Sequence, residues 1–304
     1  MYYETAVAHV NLAQNPLRIV EARPALKLAS IALAALAFIP FTACKPAAKQ
    51  IVPANSIIPD PVPTAHLSDW TALTNRIPVS LDLNGTVLRG WTFQSVAGHT
   101  TRIRILFFNG NAMTIDSSQP FYRELTAQGA DVTVFDYRGY GFSGGRADVM
   151  KSREDSLALY DQLAANGPVV VYGFSMGTAM AAYIASQRRT AGLILAGTIA
   201  SAAEEFPIFA RAQGFSARES ANMVPSPEAV AAFDEVGLVA RSPAPLLMLH
   251  GEADTLVPIH QGREVYTASS AQQKQFVSLP GKTHNETVDA LVALQAVREF
   301  IRTT

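Results

Sequence analysis

The chain has 304 residues, which is long enough for one large domain or two small ones around a sizeable buried core. Hydrophobic residues make up 49% of it and charged residues 16%, and this excludes a disordered chain, which would be rich in charge. Its 24 basic and 25 acidic residues leave a net charge of −1, so the charge balance predicts no nucleic-acid partner. The single cysteine excludes an internal disulfide and any metal site built on several cysteines.

An uncharged apolar stretch, residues 28–44, lies near the amino end and follows three basic residues, Arg18, Arg23 and Lys27. A basic flank before a short apolar stretch is typical of a secretory signal peptide, and 17 residues are few for a membrane-spanning helix. Phe41-Thr-Ala-Cys44 resembles the lipobox of bacterial lipoproteins, although that family prefers Leu where Phe41 stands. The resemblance implies that residues 1–44 are a signal segment and that Cys44 carries a lipid in a bacterial cell envelope. The alternative is an uncleaved signal anchor, and in both cases the rest of the chain faces away from the cytoplasm.

Residues 45–78 are rich in proline, with six prolines at positions 46, 53, 59, 61, 63 and 78. Proline disfavours helix and favours an extended, stiff chain. This composition predicts a tether that separates the membrane from a folded domain beginning at residue 79.

From residue 79 onward, short apolar segments alternate with amphipathic ones, which indicates an α/β fold with an eight-stranded, mostly parallel sheet flanked by helices. The predicted strands are Val79–Leu83, Thr86–Gln94, Arg102–Phe108, Asp131–Asp136, Val169–Gly173, Gly192–Ala196, Pro245–His250 and Gln275–Leu279. The predicted helices are Ser118–Gln128, Arg153–Asn166, Gly177–Arg188, Gln261–Ser269 and Thr287–Ile301.

One motif that carries chemistry is Gly173-Phe-Ser175-Met-Gly177, which lies between a predicted strand and a predicted helix. G-x-S-x-G in this context predicts a nucleophile elbow, a sharp turn that exposes the serine hydroxyl above the sheet. The Met176 amide, at the start of the helix, would then donate to the oxyanion of an acyl-transfer reaction. Ser175 is therefore the candidate nucleophile.

A serine nucleophile needs a base, and His284 is the candidate among six histidines. It lies in a loop between the last strand and the last helix, and in a parallel sheet such a loop reaches the edge at which the elbow opens. The remaining histidines are in the amino-terminal segments, in a turn, at the end of a buried strand or at a helix start: His9, His66, His99, His250 and His260.

The acid partner of this base is predicted to be Asp254, in the loop after a buried strand. Glu252 in the same loop is the competitor, but the residues after Asp254 would turn the chain into a helix and hold its carboxylate in place. The order serine, acid, histidine is that of α/β-hydrolases and differs from that of the other serine hydrolase folds.

These residues resemble the α/β-hydrolase superfamily, and more narrowly its monoacylglycerol-lipase-like and serine-aminopeptidase-like members, over residues 79–304. Asp136-Tyr-Arg-Gly-Tyr-Gly-Phe-Ser-Gly-Gly145 is similar to the family's D-x-R-G-x-G-x-S loop. Phe107-Phe-Asn-Gly-Asn-Ala112 stands where the family has its His-Gly-x oxyanion segment. The resemblance implies that the Asn111 amide is the second oxyanion donor, and that Asn109 replaces the usual histidine.

The resemblance also implies a small helical cap at about residues 201–241. Its apolar residues Phe206, Phe209, Phe215, Met223 and Phe233 would either line an acyl pocket or pack the cap on the core. The expected activity is hydrolysis of short or medium acyl esters, with no cofactor and no metal, on a small-molecule substrate. Amide or peptide cleavage is one alternative, and a non-catalytic scaffold anchored in the envelope is another.

Overall fold

The computed structural model describes residues 49–57, 76–95 and 103–304. The strands are β1 (Gln50–Val52), β2 (Ile77–Leu83), β3 (Thr86–Phe93), β4 (Arg104–Phe108), β5 (Asp131–Phe135), β6 (Val169–Phe174), β7 (Gly192–Ala196), β8 (Met223–Pro225), β9 (Leu246–Gly251) and β10 (Lys274–Leu279). The α-helices are α1 (Gln119–Thr126), α2 (Val149–Ala164), α3 (Gly177–Gln187), α4 (Ala202–Ala212), α5 (Ala217–Ala221), α6 (Pro227–Ala232), α7 (Glu235–Ala240), α8 (Ile259–Ala268) and α9 (Leu291–Thr303). Short 3-10 turns occupy Ala54–Ile57 and Asn285–Thr287.

The central sheet has eight strands in the order β10-β9-β7-β6-β4-β5-β3-β2. Strands β4 to β7, β9 and β10 pair in parallel, whereas β3 runs antiparallel to both β2 and β5. The predicted eight-stranded, mostly parallel sheet flanked by helices is therefore confirmed. Parallel strands need crossover connections, and the helices that supply them cover the sheet.

Alternate residues of the inner strands pack into two separate apolar cores. On β4, Leu106 belongs to one core, while Ile105 and Phe107 belong to the other. Strand β6 is buried along its whole length, with Val171 and Tyr172 on opposite faces. Because both faces are covered, these strands are continuously apolar and do not alternate with polar residues.

The carboxyl-terminal helix begins later than the pattern predicted. Helix α9 starts at Leu291, and the predicted start, Thr287, ends a separate 3-10 turn. The Thr287 hydroxyl accepts from the Gly251 amide at 3.2 Å and donates to the Thr283 carbonyl at 3.1 Å. These contacts tie the turn to the end of β9, so the helix can begin only after the chain leaves it.

The segment predicted to form the cap contains four short helices, α4 to α7, with β8 between α5 and α6, and it is called the cap below. Phe206 and Phe233 are buried in the core on the α3 side of the sheet, with ring centroids 6.1 Å apart. Phe215 is 47% exposed. The two buried rings therefore pack this segment against the core.

Residues 49–57 of the predicted tether differ from an extended spacer. Strand β1 pairs in parallel with β8 of the cap, and the Ser226 amide donates to the Val52 carbonyl at 2.8 Å. The Val149 amide at the start of α2 donates to the Asn55 side chain at 3.0 Å. Residues 49–57 thus belong to the same compact unit as the sheet, and β2 begins at Ile77, two residues before the predicted domain boundary.

The predicted signal segment 1–44, the lipid site Cys44 and residues 45–48 and 58–75 of the tether lie outside the described residues, so those assignments stay predictions. Within residues 49–57, 76–95 and 103–304, no helix combines the length and the apolar character needed to cross a bilayer.

Candidate active site

Ser175 lies in the sharp turn between β6 and α3, with a backbone φ of 52°. This left-handed conformation is strained for a residue with a side chain. The two flanking glycines make the turn possible. A Cβ at Gly173 would lie 2.4 Å from the Gly177 carbonyl oxygen, and one at Gly177 would lie 2.2 Å from the Phe108 carbonyl oxygen. The strand, the helix and the end of β4 therefore approach too closely for any larger residue.

Asp254 and His284 are in direct contact beside this turn. The His284 Nδ1 atom lies 2.7 Å from Asp254 Oδ2, at hydrogen-bond distance. The other carboxylate oxygen accepts from the amides of Leu256 and Val257 at 3.0 and 2.8 Å. Glu252, the competing acid, is exposed and accepts from the Ser278 hydroxyl at 2.5 Å. Of the two acids, Asp254 is the one in contact with the histidine.

His284 packs against the residues that surround the elbow. Its ring lies 5.0 Å from the ring of Phe174, the residue before Ser175. On its other side, a Cβ at Gly197 would lie 2.9 Å from His284 Cε1, so only glycine fits there. His284 Nε2 is buried and has no hydrogen-bond partner among the residues that the structure describes. The carboxylate thus holds one ring nitrogen, and the other is left without a partner.

Asn109, Gly110 and Asn111 follow β4 and lie next to the start of α3. The Asn109 carbonyl oxygen would be 2.7 Å from a Cβ at Gly177. This contact brings the predicted oxyanion segment against the helix that Met176 precedes. The structure thus brings the segments carrying Asn111 and Met176 together with Ser175.

The chain has relatives and structural neighbours with related architecture. The model of the family described as serine aminopeptidase, S33, matches residues 99–232. An uncharacterized protein of Mycobacterium tuberculosis is 30% identical over 228 residues, 73% of this chain and 77% of that protein. A lysophosphatidylserine lipase of Rattus norvegicus is 30% identical over 179 residues, 55% of this chain and 45% of the lipase.

The fold is also similar to that of the Pyrococcus furiosus esterase Pf2001, with a TM-score of 0.60 at 18% identity over 81% of this chain and 98% of that one. The chain belongs to the α/β-hydrolase superfamily. The superfamily resemblance found from the sequence motifs is thereby confirmed.

Three tyrosine hydroxyls hold the predicted oxyanion segment of this chain. Tyr122 and Tyr137 donate to the side-chain and main-chain oxygens of Asn109, both at 2.6 Å. Tyr140 donates to the Asn111 side chain at 3.1 Å. Asn109, which stands where the family has histidine, is 1% exposed and keeps two strong hydrogen bonds. Sequence reasoning missed these tyrosines, because nothing in their local pattern shows which distant loop they contact.

Asp136 fixes the loop that carries two of these tyrosines. Its carboxylate accepts from the amides of Ile115 and Phe142 at 2.7 and 2.9 Å. Burial raises the pKa of Asp136 to about 6, although those amide bonds favour the ionised form. The side chain thus joins the chain just after the predicted oxyanion segment to the D-x-R-G-x-G-x-S loop.

Replacing Tyr137 with phenylalanine is expected to lower the free energy of unfolding by about 1–3 kcal/mol, because the buried Asn109 carbonyl loses its donor. We also expect kcat to fall more than KM changes, since the carbonyl belongs to the oxyanion segment. Tyr160→Phe is a matched control, because that hydroxyl donates to the Arg189 carbonyl at 2.8 Å, outside the site. Denaturation and steady-state kinetics of both variants check this. Equal losses of kcat in the two would contradict a specific role for Tyr137.

A second histidine, His250, lies behind Asp254. His250 is fully buried, and its Nε2 lies 2.8 Å from the Val257 carbonyl and 3.6 Å from Asp254 Oδ2. Burial lowers the pKa of His250 and favours the neutral ring, whose Nε2–H donates a hydrogen bond to the Val257 carbonyl. His250 thus supports the loop around Asp254 from the end of the buried strand β9.

The loop that carries His284 is stabilised by a neighbouring carboxylate. Glu286 accepts from the hydroxyl and the amide of Thr283 at 2.7 and 3.0 Å, and these bonds lower the pKa of Glu286 to about 2. The described residues contain no group of three or more metal-ligating side chains.

Proposed function

We propose that this chain is a serine hydrolase that cleaves carboxylic esters. Ser175 is the nucleophile, His284 the general base and Asp254 the acid partner of the base. The observation that supports the proposal most strongly is the 2.7 Å contact between Asp254 and His284, beside a serine held in a strained elbow. Such a turn is costly and persists at sites where it has a function.

The reaction would proceed through an acyl-enzyme. His284 Nε2 takes the Ser175 proton as the hydroxyl oxygen attacks the ester carbonyl, and the amides of Asn111 and Met176 stabilise the oxyanion. Collapse of the tetrahedral intermediate breaks the ester bond, and His284 gives its proton to the departing alcohol. Water then attacks the acyl-enzyme by the same route. Asp254 stays ionised throughout and stabilises the imidazolium that forms.

Three observations support an ester substrate. One relative is a lysophosphatidylserine lipase, and one structural neighbour is an esterase. The cap is small, and two of its aromatic rings are packed into the core, so fewer of its apolar side chains remain to line an acyl pocket. We therefore propose short or medium acyl esters as the substrate class.

Amide cleavage is the second candidate, because the matching family model is described as a serine aminopeptidase. Both reactions use the same nucleophile and base, so the site residues do not separate them. The two reactions differ in the leaving group, since the amine released from an amide must be protonated before it can depart.

The test is a series of p-nitrophenyl esters with acyl chains of 2 to about 12 carbons, assayed beside aminoacyl p-nitroanilides. We expect ester turnover with a maximum at short or medium chains and slower turnover of the anilides. Anilide turnover that exceeded ester turnover would favour the aminopeptidase-like function. No turnover of either class, together with no labelling by a fluorophosphonate, would refute both and leave a scaffold.

A further inference from the structure

Glu235, the first residue of helix α7 in the cap, is a buried acid that the proposed mechanism does not use. Its side chain is fully buried, at 0% exposure. It lies against the amino end of α3, directly below the elbow. Carboxylic acids are almost never buried this completely unless they are paired or neutral.

The hydrogen bonds around Thr178 indicate which state Glu235 adopts. The Thr178 hydroxyl donates to the Ser175 carbonyl at 2.6 Å, and its oxygen lies 3.2 Å from Glu235 Oε1. A hydroxyl has one proton to donate and two lone pairs to accept with. The Thr178 hydroxyl proton is used in the shorter contact with the Ser175 carbonyl. The contact between Thr178 and Glu235 is therefore a hydrogen bond only when Glu235 donates its own proton to the Thr178 oxygen. The geometry therefore fits a neutral carboxylic acid.

The electrostatic surroundings agree with this state. Burial raises the pKa of Glu235 to about 8, against the opposing effects of its own amide and Arg153. Arg153 of α2 is the cation that faces it, but its guanidinium lies over the Tyr183 ring, 4.2 Å from the centroid, and also donates to the Ala231 carbonyl. Asp234 adds a negative charge nearby and favours the neutral acid further. At neutral pH most of the Glu235 side chains are thus protonated.

The Ser175 carbonyl is one of the groups that keep the elbow in its strained shape. It accepts from both the amide and the hydroxyl of Thr178, at 2.9 and 2.6 Å, while the Ser175 amide donates to the Ala196 carbonyl at 2.9 Å. An ionised carboxylate is a stronger acceptor than a main-chain carbonyl. If Glu235 lost its proton, it would draw the Thr178 hydroxyl proton away from Ser175 and remove one of these restraints.

We propose that Glu235, as a neutral acid acting through the Thr178 hydroxyl, is a positioning residue for Ser175, and that its ionisation loosens the nucleophile elbow. The inference rests on the proposed role of Ser175 as nucleophile. It links the cap to the elbow through two side chains, and it makes the site sensitive to alkaline pH.

The first experiment follows ester turnover between pH 6 and 10. Wild type is expected to lose kcat as the pH rises through about 8, while KM changes little. Glu235→Gln, which has the same shape and a permanent N–H donor, is expected to keep kcat within about threefold of wild type at pH 7 and to lose this decline. Glu205→Gln is the matched control, because burial also raises the pKa of Glu205 to about 8, but its partner is Gln261 and not Thr178. That variant is expected to keep the wild-type decline.

A second experiment does not depend on activity. The carboxyl titrates near its ordinary value of 4.5 in the unfolded chain and near 8 in the folded one, so the folded state holds an extra proton between these values. Its contribution to stability is complete below pH 4.5 and is lost as the pH rises toward 8. The urea midpoint of wild type should therefore fall more between pH 5 and 8 than that of Glu235→Gln. Combining this substitution with Thr178→Val should give a non-additive change in that midpoint.

The outcomes separate the two proposals. The role of Glu235 would be overturned if kcat of Glu235→Gln fell at alkaline pH as it does in wild type. It would also be overturned if the urea midpoints of both proteins had the same pH dependence, or if the changes in midpoint from Glu235→Gln and Thr178→Val were strictly additive. A wild type that turned over no ester would refute the proposed function, and the unfolding experiments would still decide whether Glu235 is neutral and coupled to Thr178.

Discussion

Replacing Ser175 with alanine is expected to lower kcat for the preferred ester by about 10⁶-fold, to the level of any catalysis that binding and the oxyanion amides still supply. The reason is that no covalent intermediate can form without the hydroxyl. Alanine can adopt the left-handed backbone of residue 175 with no greater strain than serine, so the fold should be retained. The measurement is steady-state kinetics, with covalent labelling by a fluorophosphonate read by mass spectrometry.

Ser186→Ala in the same helix is the matched control. Its hydroxyl donates to the Tyr183 carbonyl at 2.8 Å, within the last turns of α3 and outside the candidate site. This variant should label and turn over substrate like wild type. Equal labelling of Ser175→Ala and wild type would show that another residue is the nucleophile.

Replacing Asp254 with asparagine is expected to lower kcat by about 10⁴-fold while leaving the fold intact. The geometry gives the reason. Asp254 Oδ1 accepts from the amides of Leu256 and Val257, so asparagine would keep its oxygen there and turn its NH₂ group toward His284. His284 Nδ1 would then have to accept, which leaves the proton on Nε2. A ring in that tautomer cannot take the proton of Ser175.

The control for this substitution is Glu252→Gln, two residues earlier in the same loop. Its exposed side chain accepts a hydrogen bond from the Ser278 hydroxyl, whereas His284 is held by Asp254, so kcat should stay near the wild-type value. Circular dichroism and urea unfolding would check that both variants fold. A large loss of kcat in Glu252→Gln, together with a kcat close to the wild-type value in Asp254→Asn, would reverse the assignment of the acid.

Local patterns predicted most of the sheet, because strands buried on both faces are continuously apolar and stand out from the amphipathic helices between them. Gly192–Ala196 was predicted to the residue, and the other strands of the sheet differ from their predictions by at most two residues at either end. Helix ends were less predictable. Helix α2 begins at Val149 and not at Arg153, since the Asp148 side chain caps it by accepting from the Lys151 amide at 2.9 Å.

The candidate site likewise has a part that local motifs predicted and a part that they did not. The elbow glycines, Ser175 and the order of serine, acid and histidine can be read from the chain, because each belongs to a short motif at the end of a strand. The tyrosines on the oxyanion segment and the contact between Glu235 and Thr178 could not be predicted, since they join residues 13 to 57 positions apart. The hydrophobic periodicity of a sequence does not indicate which two distant side chains will be in contact.

The sequence by itself determined that this chain forms a mostly parallel sheet with a serine at a strand-to-helix elbow, because backbone propensity, hydrophobic period and glycine spacing are local properties. Only the tertiary structure decided that residues 49–57 pack with the domain, and that Asp254 and not Glu252 contacts His284. It also decided that the cap buries Glu235 beneath the elbow. These features depend on how separate segments pack against one another, and burial then sets the charge state of the groups enclosed between them.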